Sequence, residues 1–587
     1  MKKLVSMLLM ISIIMSGFSM ITFAEESIVT SKQGSELIEN TLPKIRYYYT
    51  NDCNDIVMTN SAQEFCNNVS TDELIEVVFE LEYDIDDCDC KKSLDVNSTD
   101  LEVEKVKMEH RDRMQEIHTQ DNYDFLLDSG LSLTSDSYTI TMSKYSPFVQ
   151  ILFDDYNDYQ TYNLQIIGLA ELDSVLGINI GVPLASGTDA TRVAGSSVGT
   201  YQMQDAIDDI NASSQTYDGS GVIVGVIEAY GVAYANSDSE LGELDIHTMG
   251  TSSDEHAIDV TRVFCGSNGL ARGVDKVYIY HSPGSSSMIS AMDWMVENAV
   301  DVINTSKSTV GLNGQYHWTS ALLDYYVRYE FITYVNSAGN DGTESDSDTC
   351  NYGMGYNVIA VGATDVSNNI STYSSYGVDS GIHTRKPTIS APGTNIIIGG
   401  DNIGSGTSYS APVVAGVIAK LMDEYPLLKV YPEVVIASII ASATPVNGQT
   451  GDWDIHAGAG RIDYQRAREA VANCVWFSFS DDSVDDVRIE RTISGVAYKT
   501  IKVAAFWLVN STTTSSNDNI LLNNHTDYDL SITDVHEDWI TGSYSLKNLE
   551  VASCDCGANS SVILQIEQYL ERKTSDADWG AFTWVYE

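Results

Sequence analysis

Ser408 stands in GSGTSYSAPVVAGV (404–417), framed by small residues and followed by Pro412 and a run of small apolar side chains. A serine in that setting either caps a helix by accepting a backbone N–H bond or is held there as a nucleophile. The two roles are compatible, because a helix N-terminus favours negative charge nearby. Pro412 suits the first helical turn, and Ala411, Ala415, Gly416 and Ala419 allow close helix packing. A hydroxyl attacks poorly unless a base takes its proton, and the base needs a third group to fix its tautomer. The oxyanion that develops needs preorganised donors. Candidates for each role stand at element junctions: Glu228 ends GVIVGVIE (221–228), His256 opens a helix in DEHAIDVTRVFCG, and Asn340 follows FITYVNSAG (331–339). Asp245, Asp254 and Asp259 are further carboxylates near the histidine in sequence, but none ends a strand. His247 and His281 read as surface or loop histidines.

Other chemistries fall away. The glycines of GSGVIVG (219–225) precede a strand, whereas a dinucleotide site needs them after the strand and opening a helix. The chain has no GxxxxGK(S/T) and no HExxH.

The elements that must position these groups follow from periodicity. Short apolar runs at 221–228, 276–282, 301–306, 331–339 and 358–365 alternate with helical segments such as 288–300, which predicts a parallel sheet covered on both faces. Active residues of such sheets gather at the carboxyl ends of the strands. Upstream, 74–84 and 148–155 pattern as strands, 101–127 as a long charged helix, and 167–179 as a short helix running into another. Together they predict a small α+β unit. The Gly/Ser/Thr-rich stretch 186–199 reads as a linker. Downstream of 475, β-patterned runs separated by turn residues predict an antiparallel sandwich.

The chain has 587 residues, enough for three or four units. Eighty-three acidic against 32 basic residues give a formal charge of −51, which argues against nucleic acid or anionic membrane as partners. MKK, an apolar stretch from Leu4 to Met15 and ITFA before an acidic EES read as an export signal over residues 1–24. No later stretch reaches the roughly 18 apolar residues that span a bilayer, so a secreted, extracellular protein is expected. Nine cysteines include two C-x-C pairs without a partner at zinc-finger spacing.

The ordered motifs resemble those of the subtilisin-like serine protease family. Gly406-Thr407-Ser408 with Ala411-Pro412 and Ala415-Gly416 is similar to the nucleophile motif. GLARGVDKVYIY (269–280) is similar to the strand after the histidine helix, and WMVENAVDVINTSKS (294–308) to the substrate-binding strand. SAGNDG (337–342), KPTISAPG (386–393) and GAGRID (458–463) are similar to the oxyanion asparagine, the turn before the nucleophile and the closing motif. The resemblance implies an α/β fold with a subtilisin-like parallel sheet over 196–475, an enlarged α+β prodomain over 25–195 and an appended β-sandwich over 476–587. It implies a secreted endopeptidase made as a precursor, acting on protein or peptide substrates, with the prodomain as chaperone and inhibitor. Ser408, His256, Glu228 and Asn340 would be catalytic, and Ser306, Lys307 and Gly339 would bind substrate, with Lys307 at the rim either solvated or favouring acidic substrate side chains. Cys350 and Tyr352 would border the pocket for the residue preceding the cut. No cofactor is required; calcium is common in the family, but no ligand loop is identifiable here, so no metal ligand is named.

Two motifs depart from the family. Glu228-Ala229-Tyr230-Gly231 stands where the pattern has Asp-Ser/Thr-Gly, and His256-Ala257-Ile258-Asp259 where it has His-Gly-Thr-His. The extra methylene of glutamate displaces the acceptor by about 1.5 Å unless the backbone retreats. The alternative, from another class, is a catalytically silent secreted binding protein.

Overall fold

The computed structural model describes residues 46–47, 72–83, 91–94, 98–170, 172, 174–187, 201–213, 216–230, 235–251, 255–309, 312–344, 347–377, 385–399, 402–479, 488–509, 527–545, 547–570 and 578–586. The expected signal segment, Asp254, Gly231, Cys53, Cys66, Cys88, Cys90 and positions 188–199 of the expected linker lie outside them.

The N-terminal unit is built from β1 (Ile75–Leu81), α1 (Asp100–Ser129), β2 (Tyr138–Met142), β3 (Phe148–Phe153), α2 (Tyr156–Ala170) and β4 (Val175–Gly181). β1 lies between β4 and β3 and pairs antiparallel with both. Successive side chains of a strand point to opposite faces. Ile75, Val77, Phe79 and Leu81 pack into the unit's own core with Phe125 and Leu126. Val78 enters the core of the following unit, and Glu76 accepts a bond from the Ser285 hydroxyl of that unit. Cover on both faces explains why β1 is buried along its whole length.

The region 167–179, expected as helix, divides differently. α2 begins earlier, where the Asp155 side chain accepts the Asp158 N–H at 2.9 Å, and residues from Val175 on are strand. The β-branched Val175, Ile178 and Ile180 favour an extended backbone against β1. A tertiary partner decides this segment.

The central sheet contains β5 (Ile223–Glu228), β6 (Ile246–Met249), β7 (Lys276–His281), β8 (Val302–Thr305), β9 (Thr333–Ser337), β10 (Ile359–Thr364) and β11 (Ile389–Pro392), ordered β11-β10-β9-β8-β5-β7-β6. Every pairing in it is parallel. From β5 the chain first builds one side of the sheet through β6 and β7, then crosses to build the other side from β8. The reversal leaves a crevice at the carboxyl end of β5, where ligands bind in open α/β sheets.

Helices α3 (His256–Cys265), α4 (Met288–Glu297), α5 (Trp318–Tyr329), α6 (Thr407–Glu424), α7 (Pro432–Ser442) and α8 (Tyr464–Ala472) share the core of this sheet. α6 is buried from Thr407 through Met422, which its apolar, small-residue sequence allows on every face. Two antiparallel sheets follow downstream. Strands Val475–Phe479, Asp578–Tyr586, Thr500–Trp507 and Leu549–Asp555 form one; Arg488–Ser494, Ser561–Leu570, Asp527–Asp534 and Trp539–Ser543 form the other. Phe477 and Trp507 of the first share a core with Tyr528 and Leu564 of the second. The first sheet's other face meets the main core through Phe506, Val551 and Trp579.

Among the described residues no helix is long and apolar enough to cross a membrane. Cys265, Cys350, Cys474, Cys554 and Cys556 are unbridged thiols.

The packing of α6 offers a direct check on what holds Ser408 in place. A Cβ on Gly416 would lie 2.4 Å from the Leu270 Cβ, in the loop after α3, a separation that real Cβ atoms do not adopt. Gly416→Val is expected to lower the unfolding free energy by about 1–3 kcal/mol through overpacking, read as a lower urea midpoint.

Candidate active site

Glu228 is the last residue of β5, and its side chain is fully buried in the crevice. One carboxylate oxygen, Oε1, accepts the backbone N–H of Ser306 at 2.6 Å; the other, Oε2, lies 3.1 Å from Nδ1 of His256. The longer side chain therefore reaches the first residue beyond the neighbouring strand β8 and the histidine together. A carboxylate has only acceptor sites, so with Glu228 ionised the Nδ1 position must carry the proton. Nε2 is then the basic nitrogen of the neutral ring. His256 is the first residue of α3 and is 6% exposed.

Ser408 is the second residue of α6, behind an N-cap at Gly406. It is not the capping residue that the sequence suggests. Its hydroxyl donates to the Ser306 carbonyl at 3.4 Å, and the Tyr409 ring centre is 6.3 Å from that of His256. Pro412 sits in the second helical turn, one turn later than expected. With no N–H it cannot bond the carbonyl four residues back, which is that of Ser408. The Ser306 hydroxyl donates to this carbonyl at 2.9 Å and satisfies it. Ser306 is thus bonded through its N–H to the acid and through its hydroxyl to the backbone of the serine.

Asn340 follows β9, and its Oδ1 accepts the Thr407 N–H at 2.9 Å and the Thr407 hydroxyl at 3.1 Å. Occupying Oδ1 aims the amide NH₂ the other way, past Gly406. A Cβ at Gly406 would stand 3.3 Å from Asn340 Nδ2 and 3.7 Å from the Ser408 nitrogen. Two donors, one side-chain and one main-chain, therefore border the same point near the serine. Gly339 sits at φ +112°, and a Cβ there would come 2.8 Å from the Ser375 hydroxyl. The Thr407 hydroxyl bonds the Gly339 carbonyl at 3.1 Å, tying the asparagine loop to α6.

Of the alternative carboxylates, Asp259 pairs with Arg262 at 2.8 Å and Asp245 with the exposed His247 at 3.2 Å. His247 stacks on Tyr278, and His281 closes β7. Cys350 lies beside Gly339, its thiol 3.2 Å from the Ser337 carbonyl. Among the described residues no cluster of three or more His, Cys, Asp or Glu is arranged to hold a metal ion.

Lys307 corrects the sequence expectation. It is not a solvated rim residue but fully buried, donating to the Ser282 hydroxyl at 2.6 Å and carbonyl at 3.0 Å over the Tyr352 ring. Burial lowers its pKa to about 7, with the Glu228 charge opposing the shift. Periodicity does not reveal this, since one lysine between two serines has no amphipathic context.

Residues assigned to a linker also close over the site. Ser186–Gly187 pair antiparallel with Ser308–Thr309, and Ala185 bridges Gly284 on the other side. The Ser186 N–H bonds the Pro283 carbonyl at 2.8 Å, and the Ser285 N–H bonds the Leu184 carbonyl at 2.9 Å. Backbone edges on both sides impose an extended conformation that the small-residue composition does not announce.

A family model described as the Subtilase family matches residues 190–460. Subtilisin DY of Bacillus licheniformis is 29% identical over 232 residues, covering 37% of this chain and 81% of that protein. The matched span is similar to the subtilase family. The chain is accordingly a serine protease with a subtilisin-like α/β fold. The minor extracellular protease Epr of Bacillus subtilis (strain 168) is 31% identical over 145 residues, 24% of this chain and 20% of that protein. Fervidolysin from Fervidobacterium pennivorans, a keratinolytic enzyme related to subtilisin, superposes with a TM-score of 0.46 at 15% identity, covering 86% of this chain and 70% of that chain.

The buried lysine gives the protein's stability a pH dependence. Its amine binds fewer protons folded than unfolded between its lowered pKa of about 7 and the ordinary 10.5. Stability contributed at Lys307 therefore rises with pH across that window. Lys307→Met is expected to shrink the gain in unfolding midpoint between about pH 7 and pH 9, measured by thermal denaturation against the parent.

Proposed function

We propose that the protein is a secreted endopeptidase made as a precursor, and that it cuts peptide bonds through Ser408, His256 and Glu228. The observation that carries this reading is the Glu228 carboxylate held between Ser306 N–H and His256 Nδ1. In the first step, the Ser408 hydroxyl turns from the Ser306 carbonyl toward His256 and attacks the substrate carbonyl carbon. Its proton passes to Nε2, and the Glu228 charge stabilises the imidazolium that forms. The Asn340 amide and the Ser408 N–H receive the oxyanion. The ring then gives its proton to the leaving amine as the peptide bond breaks. Water repeats the sequence on the acyl-enzyme.

Substrate would lie extended between Ser308–Thr309 and Gly284, along the course that residues 184–187 now follow. Backbone pairing there supports a peptide substrate, since strand addition recognises main chain and leaves side chains to pockets. The same occupancy supports a latent state, in which the N-terminal unit covers the cleft until it is cut. Glu76 of β1 reinforces the covering element by accepting from Ser285 at 3.1 Å. Export is supported by the leading cationic and apolar stretch together with an extracellular relative.

An activity-based fluorophosphonate measures the first step. Protein freed of its N-terminal unit is expected to label, and Ser408→Ala is expected not to. Absence of labelling in the freed wild type would favour the silent binding protein instead. In secreted samples the wild type is expected to lose the N-terminal unit while Ser408→Ala keeps it; identical trimming would assign maturation to another protease.

A further inference from the structure

Lys91, in the short helical turn Lys91–Ser93 of the N-terminal region, is 1% exposed. Its ammonium lies 4.4 Å from the Trp579 ring centre, 4.8 Å from Phe331 and 5.1 Å from Tyr431. Glu433, at the start of α7 and fully buried, accepts from it at 3.0 and 3.4 Å. The same carboxylate accepts the Trp476 indole N–H at 2.6 Å. The Tyr431 hydroxyl donates to the Lys91 carbonyl at 2.9 Å.

The walls do not come from the element that carries the lysine. Phe331 follows α5, Tyr431 and Glu433 border α7, and Trp476 and Trp579 lie on paired strands of a C-terminal sheet. They also hold one another. Tyr431 meets Trp476 edge-on at 5.4 Å, and Phe331 lies 6.3 Å from Trp579. Three π faces and one carboxylate surround the Lys91 ammonium as an aromatic cage, the arrangement that recognises ammonium ligands, while the buried Arg328 guanidinium lies against the Trp579 ring at 4.9 Å. An isolated buried charge is costly, and the carboxylate inside the cage supplies the compensating partner.

We propose that Phe331, Tyr431, Trp579 and Glu433 form an alkylammonium-binding site for which Lys91 is the resident ligand, and which accepts the lysine side chain of another polypeptide when Lys91 is absent. The ligand class follows from the chemistry. The rings favour a cation over an alcohol, the carboxylate favours one with N–H donors, and the enclosure limits it to a slender aliphatic stem. A guanidinium is planar and wider, and a metal ion would find a single carboxylate among aromatic faces. Resting on the precursor reading, departure of the N-terminal unit would empty the cage and leave it to a lysine-bearing protein.

The test vacates the cage in the full chain and refills it with a small ligand, in the Ser408→Ala background so that its outcome is independent of proteolysis. In Lys91→Ala, n-butylammonium chloride at about 50 mM is expected to raise the thermal midpoint by about 1–2 °C, with n-butanol or potassium chloride giving no comparable shift. The chain retaining Lys91 is expected not to respond, and Glu433→Gln added to Lys91→Ala is expected to abolish the response. An equal effect of n-butanol, an equal response with Lys91 present, or no response in Lys91→Ala overturns the proposal. Should Lys91→Ala not fold unaided, refolding from urea is expected to recover soluble protein with n-butylammonium and not with n-butanol; failure of that rescue overturns it as well.

Discussion

The carboxylate of Glu228 has two partners on two different elements, and the rest of the site is arranged around that division. Ser306 N–H, just past β8, fixes one oxygen at 2.6 Å, while His256 Nδ1, on the first residue of α3, meets the other at 3.1 Å. With both oxygens engaged the side chain has little freedom to swing away, so the ring orientation follows from the strand spacing of the sheet. Parallel β5 and β8 are neighbours, which brings residues distant in sequence within a hydrogen bond of each other. The longer acid is accommodated by reaching the segment after the neighbouring strand with one oxygen and His256 with the other.

Ser306 links this carboxylate to α6, the helix that carries Ser408. Its hydroxyl bonds the Ser408 carbonyl, an acceptor left without its helical donor by Pro412. A proline that weakens the helix thus leaves the acceptor by which Ser306 holds the backbone of Ser408. The chain runs on from Ser306 into the separate short strand Ser308–Thr309, against which residues 186–187 lie. Glu228, Ser408 and residues 186–187 all bond to one short stretch of backbone, 306–309, so displacing residues 186–187 would be felt directly at Ser306. Lys307, inside this stretch, is anchored to Ser282 over Tyr352 and places a titratable amine beneath it.

Much of this is legible in the sequence because sheet strands and motif spacing carry strong local signals. The apolar runs ending in Glu228 and preceding Asn340 occur as strands, and His256 opens its helix as the pattern requires. Where tertiary contact outweighs local preference, the sequence misleads. Val175–Gly181 becomes strand because β1 offers it an edge; Ser186 and Gly187 extend because backbone flanks them on both sides. Arg488–Ser494, polar and charged, escapes any apolar pattern because its side chains are largely exposed while its backbone pairs with Ser561–Leu570. Lys307 misleads for a related reason: its residue type suggests solvent, whereas the fold provides enclosed acceptors. The Lys91 cage draws its walls from segments as far apart as Phe331 and Trp579, a proximity that no sequence window contains.

Catalysis by this route requires a glutamate charge behind the histidine, and turnover of Glu228→Gln tests that most directly. The amide can keep accepting from Ser306 but presents a donor to Nδ1, which favours the wrong ring tautomer. Removing the equivalent charge in another serine protease lowers kcat by about 10⁴, and a fall on the order of 10³–10⁴ is expected here with folding unchanged. Turnover within about tenfold of the parent would contradict the assignment, because a loss that small does not fit an acid whose charge fixes the base.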